Sequence, residues 1–263
     1  MPTTQARRTR TALTSAITTQ VGHVVATLRS LPPADFDRPS VVADWDVRMI
    51  VAHLVMIQDQ LLEDLDSPTS QRPVKLSSLG PGWRRQQSWE LTEELGTYQS
   101  AAQLTNQLQT GLAEVNARCR KPAPETVLAG GVDPLRFSDY LQLLAIDWAL
   151  HTDDLNRSLP QRPSIQLESP VLAAAVRTLA DLLATRHPGR SIEVRIPPYA
   201  AVQCGDPGDP THTRGTPPNV IECPPLIFLR LATGRVGFAA ELRANHLTAS
   251  GTRADLTDKL PLY

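Results

Sequence analysis

The sequence predicts a helical N-terminal part followed by a smaller α+β part. Three observations carry that expectation. Apolar residues recur at helical spacing through four long stretches before residue 160. A proline-rich stretch, Pro160 to Pro170, then interrupts the pattern. Beyond about residue 190 the period changes to short alternating runs between Pro, Gly and Asp turns. The expected division is 1–160 for an up-and-down four-helix bundle and 161–263 for the α+β domain.

The first helix is expected over residues 10–30, with Leu13, Ile17, Val21, Val24, Val25 and Leu28 on one stripe. Leu31-Pro32-Pro33 ends it, because proline lacks the N–H the ladder needs. His23 lies beside the stripe and reads as a structural histidine. The second helix is VRMIVAHLVMIQDQLLEDL, with Asp44 or Asp46 as its cap and His53 at the edge of its apolar stripe. Residues 66–88, rich in Pro, Ser and Gly, read as a long loop. A third helix is expected over 90–120, and a fourth over LRFSDYLQLLAIDWALHTDDLNRSL, capped by Ser138. A fifth runs from 171 to 186. SIEVRI, AVQCG, THTR, NVIEC and HLTASG read as strands, PPLIFLRLATG and GFAAELRAN as short helices, and RADLTDKLPL as a closing helical turn.

Composition narrows the function. The formal net charge is −1, and the basic residues are scattered apart from Arg7-Arg8-Thr9-Arg10, so the electrostatic footprint of a nucleic-acid binder is missing. No apolar run reaches the ~18 residues of a membrane span, and the first twenty residues lack the apolar core of a signal peptide. A cytoplasmic monomer is the resulting expectation. Cys119, Cys204 and Cys223 are three widely spaced cysteines with no CxxC pair, which disfavours a disulfide framework and a cysteine zinc site. They read as buried thiols. Only three of the 26 basic residues are lysine, which points to a GC-rich genome.

The sharpest chemical constellation is Asp147-x-x-x-His151-x-x-Asp154. Residues four apart share a helix face, so Asp147 and His151 point to one place among Leu143, Leu144, Ile146, Trp148 and Leu150. A carboxylate in such surroundings needs a partner. Either a direct Asp–His contact or a metal ion supplies one. Two histidines with a carboxylate, leaving a fourth position open, form one of the catalytic zinc patterns, and His53 is the further histidine inside a bundle helix. Asp154 is a candidate to orient His151 through the second ring nitrogen. Arg214 and Arg235, each beside a glycine in a short turn, are candidates to grip a carboxylate.

Asp44-Trp45-Asp46-Val47-Arg48-Met49-Ile50-Val51-Ala52-His53-Leu54 resembles the W-[ST]-V-[RK]-D-[VL]-V-A-H-L signature of mycothiol-dependent maleylpyruvate isomerases and their DinB-like relatives. Ala149-Leu150-His151-Thr152-Asp153-Asp154-Leu155 resembles their E-x-x-x-H-x-x-D-L signature. The resemblance covers roughly residues 10–160 and implies a bundle metal, usually zinc, held by His53, Asp147 and His151, with mycothiol as the thiol cofactor and an acidic or apolar small molecule as substrate. The chain departs from the signature at Asp147, where the family has Glu, one methylene longer, or ~1.5 Å. Residues 190–262 resemble the sterol-carrier-family domain of actinobacterial proteins, which implies a second expectation: binding of a lipid or small apolar ligand beside a structural or vestigial metal site.

Overall fold

In the computed structural model, residues 4–80, 85–123, 125–130, 133–206, 208 and 218–263 are described. They divide into two compact units, residues 1–75 with 84–171 and residues 76–83 with 172–263. A helical N-terminal region and a small α+β C-terminal region are the outcome the sequence led to. The expected strand THTR and Arg214 fall outside the described residues.

In the first unit, α1 (Thr4–Ser30), α3 (Val47–Asp66), α5 (Ala101–Arg118) and α6 (Phe137–Ser158) pack side by side. α1 lies against α5 and α6, and α3 lies against α5 and α6 as well. The short α2 (Pro33–Phe36) follows the prolines that stop α1. α6 is the most deeply set helix, with Phe137, Tyr140, Leu143, Leu144 and Ile146 at 2% exposure or less. Each such large side chain contributes roughly 1.5–3 kcal/mol through burial.

The expected third helix is two. α4 (Arg85–Tyr98) ends, and α5 begins at a complete capping box. Ser100 Oγ accepts from the Gln103 backbone N–H at 3.3 Å, and Gln103 Oε1 accepts from the Ser100 N–H at 2.8 Å. Ser-x-x-Gln is a helix-start signal inside what reads as continuous apolar periodicity. Asp46 caps α3, accepting from Met49 N–H at 2.8 Å. Ser138 does not cap α6; the helix starts one residue earlier, at Phe137, and its N-cap position is Arg136, which makes no side-chain cap. The connection before α6 also folds, as an antiparallel pair of β1 (Val127–Leu128) and β2 (Leu135–Arg136).

Two glycines allow close helix approach. A Cβ on Gly111 would stand 2.0 Å from Gln58 Nε2, and one on Gly96 would stand 2.3 Å from Met49 Sδ. Gly111 brings α5 onto α3, and Gly96 brings α4 onto the same helix beside His53.

The second unit holds most of α7 (Ser169–Arg186), then β3 (Ile192–Ile196), β4 (Ala200–Cys204), β5 (Asn219–Glu222), α8 (Pro225–Ala232), α9 (Phe238–Arg243) and β6 (Thr248–Ser250). The sheet order is β4-β3-β5-β6. β3 runs antiparallel to β4 and parallel to β5, and β6 runs antiparallel to β5. Alternation along β3 buries Ile192, Val194 and Ile196. Cys204 and Cys223 do not neighbour each other across the sheet, since β3 lies between β4 and β5. RADLTDKLPL forms only a 3₁₀ turn at Thr257–Lys259. The Arg186 guanidinium donates to the Leu79 and Leu262 carbonyls, tying Leu79 and the C-terminal residues to α7.

Candidate functional site

The site lies in the first unit, where α3, α4 and α6 bring their polar residues together. His53 projects from the middle of α3 and His151 from α6. Their ring centroids are 4.7 Å apart, with the rings edge-on at 70°. His53 Nδ1 shares a hydrogen bond with Thr92 Oγ1 of α4 at 3.1 Å, and Thr92 is fully buried.

His151 is 4% exposed. Its Nδ1 stands 3.1 Å from Asp154 Oδ2, three residues along the helix. The distance is that of a hydrogen bond, yet Nδ1 has no well-aligned acceptor. Alignment decides hydrogen-bond strength, so the contact is electrostatic rather than a formed bond. Asp154 is wholly buried and Asp147 is 6% exposed, one helical turn before His151.

Trp45 roofs this pair. Its ring centroid is 5.3 Å from His53 and 6.4 Å from His151, the latter ring at only 25° to it. Trp89 of α4 lies against Trp45, the ring centroids 5.3 Å apart and the rings tilted at 41°. The residue before Trp45, Asp44, has φ of 64°, a left-handed backbone that Asp tolerates better than most residues. The Trp45 backbone is pinned on both sides: its N–H donates to Val42 O at 3.1 Å, and its carbonyl accepts from Ser40 N–H at 2.9 Å. Among the described residues the indole Nε1 is buried without an acceptor. A buried donor left unmet costs roughly 1–3 kcal/mol.

Two imidazoles and a carboxylate are the donor types of a zinc-like divalent metal, and the contact of the two histidine rings fits that chemistry. Among the described residues, no group of three or more His, Cys, Asp or Glu side chains is closed around a point where a metal ion would sit. The fit is thus one of donor kind and of the two histidines. A hollow of about 500 Å³ between α1, α3 and α5 is lined by Leu28, Phe36, Arg48 and Ser100 and holds none of these residues.

Of the other sequence candidates, Arg235 stands in the second unit, half-exposed after α8, where its backbone N–H donates to Arg230 O at 2.8 Å. His23 is a structural residue, paired through Nε2 with Glu168 at 2.9 Å. Trp45, Trp89 and Thr92 were not singled out from sequence. Trp45 sits inside the Asp-Trp-Asp stretch before α3, where its place in the motif was the available signal. Nothing local marks Thr92.

The family described as the mycothiol maleylpyruvate isomerase N-terminal domain matches residues 17–156. A second family, described as a bacterial SCP ortholog, matches residues 168–262. Among solved structures, the chain is similar to a mycothiol-dependent maleylpyruvate isomerase at a TM-score of 0.60 and 15% identity, covering 95% of this chain and 93% of that one. It is likewise similar to a histidine-to-alanine mutant of a mycothiol-dependent maleylpyruvate isomerase, at a TM-score of 0.58 and 15% identity over the same shares. At that identity the likeness is one of fold. No curated protein sequence matches. No helix among the described residues is long and apolar enough to cross a membrane.

Proposed function

The chain belongs to the mycothiol maleylpyruvate isomerase N-terminal domain family, and from that premise we propose that it is a metal- and mycothiol-dependent isomerase or thiol transferase working at His53 and His151. The observation that carries the reading is the contact between these two rings, which come from separate helices and meet among buried side chains. Nothing in ordinary core packing requires two imidazoles at the same point beside two buried carboxylates. Such groups are expensive to bury and are retained where they serve a ligand or a proton.

In this reading His53, His151 and Asp147 hold the metal. A bound divalent metal would lower the pKa of a coordinated thiol and present it as thiolate at neutral pH. The protein's own residues do the rest. Thr92 fixes the orientation of His53 through Nδ1. Asp154 faces His151 Nδ1, which leaves the other ring nitrogen to serve as the ligand. Trp45 and Trp89 cover the site and limit its water, which strengthens every charge interaction within it. The substrate class is a small acid with an activated double bond or leaving group.

The test is titration calorimetry with mycothiol on zinc-supplied protein, followed by a maleylpyruvate isomerisation assay with and without the thiol. Saturable binding and thiol-dependent turnover support the proposal. Absence of mycothiol binding by zinc-supplied protein defeats it.

A further inference from the structure

We infer that Trp45 is a ligand-binding residue, its indole N–H donating to a carbonyl or carboxylate oxygen of the acid bound over His53 and His151. The inference rests on the functional reading above and adds a specific contact to it. Indole nitrogen is a donor only, and buried tryptophans ordinarily find an acceptor. Trp45 is 8% exposed, and its Nε1 meets none. The residue is not placed there by default. Asp44 takes a left-handed backbone immediately before it, and hydrogen bonds to Val42 and from Ser40 hold its own backbone in position. A phenylalanine would give the same ring contacts to both histidines without burying an unmet donor.

The location gives the donor its use. Trp89, 37% exposed, lies against Trp45 with its ring tilted, and Trp45 in turn contacts His53 and His151, so a chain of aromatic contacts runs from solvent to the two histidines. A molecule reaching those histidines meets the Trp45 ring. Of the groups it can present to an N–H donor, the oxygens of an acid are the strong acceptors. The surrounding rings supply apolar contact, and the single donor supplies orientation, as in other small-molecule pockets.

The test follows the indole N–H itself. Protein labelled with ¹⁵N-tryptophan gives a signal for each of four indoles, Trp45, Trp83, Trp89 and Trp148. The Trp45 signal is the one lost in Trp45→Phe. Maleylpyruvate, added without thiol so that no turnover occurs, is the probe. The expected result is a downfield shift of the Trp45 N–H at saturation and about tenfold weaker maleylpyruvate binding in Trp45→Phe, with zinc content and mycothiol affinity unchanged. Melting temperature is expected to hold or rise, since the variant removes an unmet donor. An unmoved Trp45 signal, or equal affinity in the variant, overturns the inference and leaves the functional reading standing. Native protein that binds mycothiol but not maleylpyruvate also overturns it alone, whereas protein that binds neither defeats both.

Discussion

His53 and His151 meet edge to ring, their centroids 4.7 Å apart, although one comes from α3 and the other from α6. The carboxylate that would join them is Asp147, a methylene shorter than the Glu of the family signature. Replacing it by Glu lengthens the reach of the oxygen by ~1.5 Å. Asp147→Glu is therefore expected to bind zinc more tightly than the native chain, as read by competition with a chromogenic chelator. Weaker binding in that variant would mean that Asp147 already sits where a ligand should.

Asp154 faces His151 Nδ1 at 3.1 Å and is wholly buried. Asp154→Asn keeps its shape and removes its charge. Partners of ligating histidines are typically worth 10- to 100-fold in metal affinity, so a loss of about that size is expected, with the far-UV circular dichroism unchanged. Equal zinc affinity would assign Asp154 to packing alone.

Gly111 lies in the interior of α5, where alanine ordinarily gains about 1 kcal/mol. Here the added Cβ would stand 2.0 Å from Gln58 Nε2. Gln58 would have to withdraw and release the Gln107 carbonyl, which it now holds at 3.3 Å. Gly111→Ala is expected to lower stability by about 1–2 kcal/mol in urea unfolding. Adding Gln58→Ala should recover part of the loss. A stabilised Gly111→Ala would show that the two helices part easily.

Burial raises the pKa of Asp59, and the charges of Glu63 and Glu114 raise it further, against the lowering effect of the Gln107 hydrogen bond. A carboxylate raised on folding binds more protons in the native state, so its contribution to stability falls as pH rises from the unfolded value of 3.8 through the folded value. Asp59→Asn keeps an acceptor for Gln107 and removes the charge. It is expected to be more stable than the native chain at pH 7, by no more than about 0.5 kcal/mol because solvent screens the site, with the gain gone near pH 3. Melting curves at the two pH values check the sign.

None of the three cysteines is in a disulfide, and all are buried. Burial, with Glu222 adjacent, pushes the Cys223 thiol up to about 12. The thiolate is the reactive form, so a thiol-reactive dye is expected to label the native protein slowly and to label three sites after denaturation. Fast labelling of the native chain would place a thiol at the surface.

The long elements were legible because each carries enough apolar residues for its period to show. α3 and α6 stand where the stripes of Val47–Leu65 and Leu141–Leu155 put them. The break between α4 and α5 was hidden because Leu95, Tyr98, Ala102 and Leu104 keep a helical rhythm across it, and a capping box overrode that rhythm at Ser100. The β1–β2 pair was hidden because two-residue strands have no period at all. At the site, His53 and His151 were visible as polar residues in apolar stripes. Thr92 was not, because its role comes only from the packing of α4 on α3, which Gly96 permits.

The proposed function requires His53 and His151 to be metal ligands. The direct measurement is metal content by elemental analysis after zinc is offered at neutral pH, on the native chain and on His53→Ala and His151→Ala. Near-stoichiometric zinc in the native chain, lost in both variants, is the expected result. A native chain that stays metal-free, or variants that retain full zinc, would contradict it.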